Sequence, residues 1–154
     1  MTTKTDQLTT PRKPGGGVRR GFDIAYGYLA GLFVLGVLVQ VFLAGEGVFG
    51  INARKVANAS SLNAHRTWGG VLMVLAVVLL ILALAAWQSA RTVIATVILA
   101  VLVTVAQSGL ASAGEHNKWV GGLHAFDGML ILLLALWLAI AAFRRQKKNL
   151  DHPA

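Results

Sequence analysis

Residues 68–114 read WGGVLMVLAVVLLILALAAWQSARTVIATVILAVLVTVAQSGLASAG. Two continuously apolar runs are joined there by Gln88-Ser89-Ala90-Arg91. A bilayer core of roughly 30 Å takes about 20 helical residues at about 1.5 Å each, so each run predicts one membrane-spanning helix. A connection of four residues makes the two helices antiparallel neighbours. Barrel strands are excluded, because they are about ten residues long and alternate in polarity.

Outward from that hairpin, two more runs of the same kind appear. The predicted spans are 24–44, 66–87, 92–114 and 119–143, and the turn Glu115 to Lys118 is as tight as the central one. The expected fold is all-α: a polytopic membrane protein forming an up-down-up-down four-helix transmembrane bundle. A chain of 154 residues that is 56% hydrophobic and 13% charged, with mean hydropathy +0.66, supports this class over a soluble domain. Apolar residues after a basic start also suit a signal peptide. The first run is too long, however, and Phe42-Leu43-Ala44-Gly45-Glu46 is a poor cleavage site, so it is read as a retained span.

The net charge of +8 is placed, not spread. Lys4, Arg12, Lys13, Arg19 and Arg20 precede the first span, Arg91 lies in the central turn, and Arg144, Arg145, Lys147 and Lys148 follow the last span. These are ten of the fourteen basic residues. The positive-inside rule then places both termini in the cytoplasm of a bacterial-type plasma membrane, with the basic tails on anionic headgroups and nucleic acid excluded as a partner. Residues 1–20 carry two prolines, three consecutive glycines and little to bury, so they are expected to be disordered; 144–154 form a second basic tail. The first external connection, about 45–63, is the only long one, and its Ala- and Ser-rich part, 53–62, suits a short interfacial helix. Gly27 and Gly31, four apart, favour close helix packing within the bundle over a dimer seam.

A short pattern occurs twice. Gln40-x-x-Leu43-Ala44-x-x-Gly47 is followed by His65-x-x-x-Gly69, and Gln107-x-x-Leu110-Ala111-x-x-Gly114 by His124-x-x-x-Gly128. From Gly47 to His65 is 18 positions and from Gly114 to His124 is 10, so the copies differ by an insertion of eight in the first connection. The chain therefore reads as two repeated helical hairpins. Each histidine opens an even-numbered span, so both imidazoles come to one level near the external face, and a glycine four residues on leaves a gap on the same helix face. Two imidazoles at one level suit a haem iron held from both faces. The plainer reading makes them interfacial histidines bonded to carbonyls.

Other residues take supporting places. With no cysteine, thiolate ligands and iron–sulfur clusters are excluded. Zinc needs a third ligand from Glu46, Glu115 or His116. Arg66 suits a propionate at the external surface, or equally a lipid phosphate. Gln40 and Gln107 must find buried partners, either across the bundle or on the histidine nitrogens. Asp127, three residues after His124, is an acid deep in a span and thus a candidate proton or second-shell site. His116 and His152 are expected to be solvated.

Gln-x-x-Leu-Ala-x-x-Gly, then Ala64-His65-Arg66-Thr67-Trp68-Gly69, and later Gly122-Leu123-His124-Ala125, resemble one half-bundle of a haem A synthase over roughly residues 24–143. As a whole the chain resembles an uncharacterised family of small four-span bacterial membrane proteins. The resemblance implies a cytochrome b561-like four-helix bundle with haem ligation by His65 and His124. Haem A synthases carry two such bundles, a count that a homodimer of this chain would match, and a glutamate three residues before the first histidine, where Leu62 stands here. The b561-type cytochromes hold two haems with four histidines, and this chain has no candidate near its cytoplasmic ends.

The expected function is a membrane haem b protein with one bis-histidine haem, engaged in electron transfer or haem-linked redox chemistry with an external redox partner or a quinone. The alternative is a scaffold or accessory subunit without a cofactor. A transporter using Asp127 is a third reading, weakened by the lack of polar groups in the cytoplasmic half beyond Ser89 and Thr96.

Overall fold

A helix satisfies all its backbone hydrogen bonds internally, which is why apolar runs of this length fold as helices in lipid. The computed structural model of the chain describes residues 16–54 and 62–151. They form α1 (Gly16–Arg54), α2 (Asn63–Ala85), α3 (Ala90–Gly114) and α4 (Lys118–Asp151). All four are long and apolar enough to cross a membrane, and no strand occurs among the described residues. The chain is a multi-pass membrane protein. α1 packs against α2 and α4, and α3 packs against the same two, so α1 faces α3 and α2 faces α4 across the bundle axis.

One stripe per helix builds the core. Tyr26, Ala30, Phe33 and Val37 of α1 meet Leu72, Ala76, Leu79 and Ala83 of α2, with Leu99 and Val103 from α3 and Ile131, Ala135, Leu138 and Ala142 from α4. The steps of three and four keep each stripe on one face, and the alanines let the helices approach closely. On the outer surface, Leu32, Leu35, Val74, Ile81, Ile94 and Leu133 are exposed, as lipid-facing positions should be. A Cβ on Gly31 would meet the Phe143 ring at 3.4 Å and Gly27 lies against Gln146, so the paired glycines of α1 serve packing on α4.

The α2–α3 turn shows how a hairpin closes without glycine. Gln88 N–H donates to Ala83 O at 3.1 Å across Trp87, whose φ of 52° is the left-handed conformation that usually belongs to glycine. That backbone costs about 1–2 kcal/mol for a bulky residue. Arg19 offsets it by donating to Ala86 O at 3.0 Å and Trp87 O at 3.1 Å, capping the carbonyl end of α2, while its guanidinium lies 5.8 Å from the centre of the Trp87 ring. Ser89 then caps α3 by accepting from Thr92 N–H at 3.3 Å.

Arg19 also explains a correction. α1 extends past both ends of the span expected over 24–44 and takes in residues 16–20 of the tail expected to be disordered, where Arg19 anchors the helix to α2; residues 1–15 lie outside the described residues. α4 likewise runs on through the basic tail to Asp151. The interfacial helix expected over 53–62 lies mostly outside the described residues; 53–54 belong to α1.

Candidate metal centre

The core stripes do not end where the apolar residues end. One helical step beyond Val37 stands Gln40; one and two steps before Leu72 stand Gly69 and His65; one step beyond Val103 stands Gln107. Before Ile131 come Gly128, Asp127 and His124. The helix phase that buries the core thus turns these residues toward the bundle axis. In α3 the phase is adjusted by a π-helical turn, Leu102–Ala106, immediately before Gln107. Wide turns of this kind recur at functional sites. Thr104 steadies it by donating to Ala100 O at 2.7 Å.

His65 and His124 sit on diagonal helices and meet on the axis. Their ring centres are 6.3 Å apart and their planes make 75°. Each ring is held by its own hairpin in the same way. His65 Nδ1–H donates to Gln40 O at 3.2 Å, and His124 Nδ1–H donates to Gln107 O at 3.2 Å. A carbonyl can only accept, so the proton is on Nδ1 in both rings and the lone pair is on Nε2. The duplicated sequence has become a duplicated contact.

The glutamine side chains complete the layer. Gln107 Nε2 donates to His124 O at 3.0 Å, and Gln40 Nε2 reaches His65 Nε2 at the long distance of 3.4 Å. Each amide occupies the notch over its hairpin's glycine: a Cβ on Gly69 meets Gln40 Nε2 at 3.1 Å, and one on Gly128 meets Gln107 Nε2 at 3.6 Å. The expected gaps over Gly69 and Gly128 therefore hold amides, whose side chains are able to turn. Two acceptors in this layer stay open, since Gln40 Oε1 and Asp127 Oδ2 are buried without a hydrogen-bond partner. Asp127 is only 5% exposed, as its place on the His124 face predicts.

Two residues that sequence reading treated differently help to fix the site. Trp68 stands at a span end, where tryptophan usually marks the headgroup region, yet it points inward and donates from Nε1 to Gly36 O at 2.8 Å, tying α2 to α1 one turn from His65. Its place three residues after His65, on the same face, was the available signal. Arg66 extends to Glu115 Oε1 at 3.4 Å in the α3–α4 turn, an exposed pair of small energetic value. His116 is exposed in that turn, apart from the pair, and His152 lies outside the described residues.

Whether these residues fit a metal follows from the donor set. No group of three or more His, Cys, Asp or Glu is assembled among the described residues, so a tetrahedral zinc site is not formed. Two trans imidazoles on one iron are a different requirement. With metal–nitrogen bonds of about 2 Å and about 1.1 Å from nitrogen to ring centre, the ring centres stand about 6 Å apart. The observed 6.3 Å meets that requirement. The segment Gln107–Gly114 contains no buried residue, so the bundle is less tightly filled at the histidine end than along its apolar core. In donor type and ring-centre spacing the pair matches a bis-histidine iron. No family model, curated protein or solved structure matches the chain.

Proposed function

We propose that the protein is a membrane haem b protein in which His65 and His124 hold one iron from opposite faces near one surface of the bundle. The observation that carries this reading is the pair of rings 6.3 Å apart on the bundle axis, each with Nδ1–H tied to a carbonyl. Such tying fixes the ring orientation and leaves Nε2 as the ligand atom. When bound, the haem supplies a one-electron carrier. Gln40 Nε2 lies at the long distance of 3.4 Å from His65 Nε2, the nitrogen that would hold the metal. Arg66, exposed beside the pair, supplies a guanidinium for a propionate, and Asp127 Oδ2 is an open acceptor able to take a proton three residues from His124.

The basic residues at the opposite end orient the chain with both termini in the cytoplasm, so the histidine end faces outward in a bacterial-type plasma membrane. Electrons are exchanged there with an external redox partner or a quinone. Titration of haem into the detergent-purified protein tests the assignment. One haem per chain is expected, with His65→Ala and His124→Ala each weakening binding at least about a hundredfold and His116→Ala leaving it unchanged. Equal binding by all four proteins refutes the assignment. A scaffold reading is favoured only by the Gln40 amide at His65 Nε2. It expects His65→Ala to lower stability without any change in pigment.

A further inference from the structure

At the end of the bundle away from the histidines, α1 and α4 enclose a groove of about 150 Å³. It is lined by the polar side chains of Arg20, Asp23, Gln146 and Asn149 and by Ile24 and Tyr28. Asp23 brings no uncompensated charge to it. Asp23 Oδ1 accepts from Arg145 Nε at 3.1 Å and Nη2 at 2.7 Å and from Gln88 Nε2 at 2.7 Å, while Gln146 Nε2 donates to Asp23 O at 2.8 Å. Two cations of this end are thereby used inside the fold, Arg145 on Asp23 and Arg19 on the α2 carbonyls.

Arg20 is different. The ion pairs among the described residues are Arg66–Glu115 and Arg145–Asp23, and Arg20 belongs to neither while lining the groove. Tyr28 in its lining is 68% exposed, and its ring meets Phe143 edge-on at 6.1 Å between centres. A guanidinium and an amide therefore share one groove with the apolar surface of Ile24 and Tyr28. Arg144, Lys147 and Lys148 add positive charge to the same end of α4.

We propose that this groove binds one anionic phospholipid, with its phosphate on Arg20 and Asn149 and an acyl chain along Ile24, Tyr28 and Phe143. Charge complementarity selects an anion, and the apolar surface of Ile24 and Tyr28 selects a lipid over a free phosphate, which would use Arg20 and Asn149 alone. The proposal is independent of haem.

The test uses the full chain in neutral detergent, with phosphatidylglycerol or phosphatidylcholine of matched acyl chains added as mixed micelles. Thermal unfolding and native mass spectrometry are the readouts. A basic residue merely near an anionic surface contributes about fivefold in affinity (about 1 kcal/mol), which applies to Arg20 and Lys147 alike. Gripping the phosphate adds to Arg20 alone. Saturable stabilisation by phosphatidylglycerol, with one retained lipid per chain, is expected. Arg20→Ala should weaken it about thirtyfold and Lys147→Ala no more than about fivefold. Tyr28→Ala, which removes no charge, should also weaken it, and inorganic phosphate at equal concentration should leave unfolding unchanged. Equal effects of the two lipids, equal losses from Arg20→Ala and Lys147→Ala, or reproduction of the shift by inorganic phosphate would each overturn the proposal.

Discussion

Replacing Gly114 by alanine tests the hairpin that carries His124. A Cβ on Gly114 lies 2.9 Å from Gly121 Cα and 3.0 Å from Gly121 N, both backbone atoms of α4. Carbon atoms rest at about 3.5–4.0 Å, so the overlap is about 0.6–1.1 Å and no side chain is there to move aside. The helices must separate, at an overpacking cost of about 1–3 kcal/mol, offset by about 0.5–1 kcal/mol from replacing a helical glycine with alanine. Gly109, five residues earlier on α3, provides the control, because a Cβ there meets nothing within 4 Å. Gly109→Ala should be neutral or gain about 0.5–1 kcal/mol. The two alanine variants should therefore differ by about 2 kcal/mol, or roughly 4–8 °C in thermal midpoint for a chain of this size. Equilibrium unfolding in mixed micelles measures the difference. If Gly114→Ala is as stable as Gly109→Ala, the close approach of α3 and α4 at this turn is wrong.

Asp23→Ala should destabilise by about 1–3 kcal/mol, because Arg145 and Gln88 lose their common acceptor in a partly buried place; denaturation midpoints measure it, and no change would remove Asp23 from the scaffold. Trp68→Phe deletes the bond to Gly36 O and should cost about 1 kcal/mol with little loss of packing, read in the same assay. Gln107→Leu should cost only about 0.6 kcal/mol and leave His124 oriented, because the ring is held by the Gln107 carbonyl and not by its side chain. Haem affinity lowered more than about tenfold by that change would show that the amide holds the ring.

The four helices and their order were legible from the apolar runs and the short turns alone. So was the pairing of the histidines, since hairpins duplicated in sequence repeat their contacts in space. Less accessible were features set by tertiary context. Trp87 at positive φ contradicts its own conformational preference and is held by Arg19, distant in sequence. The π turn before Gln107 has no composition signal, though it sets which residue faces α4. The inward Trp68 was obscured because tryptophan at a span end usually marks the headgroup region. That α1 reaches back to Gly16 was hidden by the glycines there, whose weak helix preference is overridden by anchoring to α2.

The most direct measurement is the response of the reduced, haem-loaded protein to carbon monoxide. If His65 and His124 both hold the iron, the wild type should show a spectrum that carbon monoxide leaves unchanged, while any haem retained by His65→Ala or His124→Ala should bind the gas. A wild type that takes up carbon monoxide as readily as either variant, or that retains no haem when haem is supplied, would contradict the account.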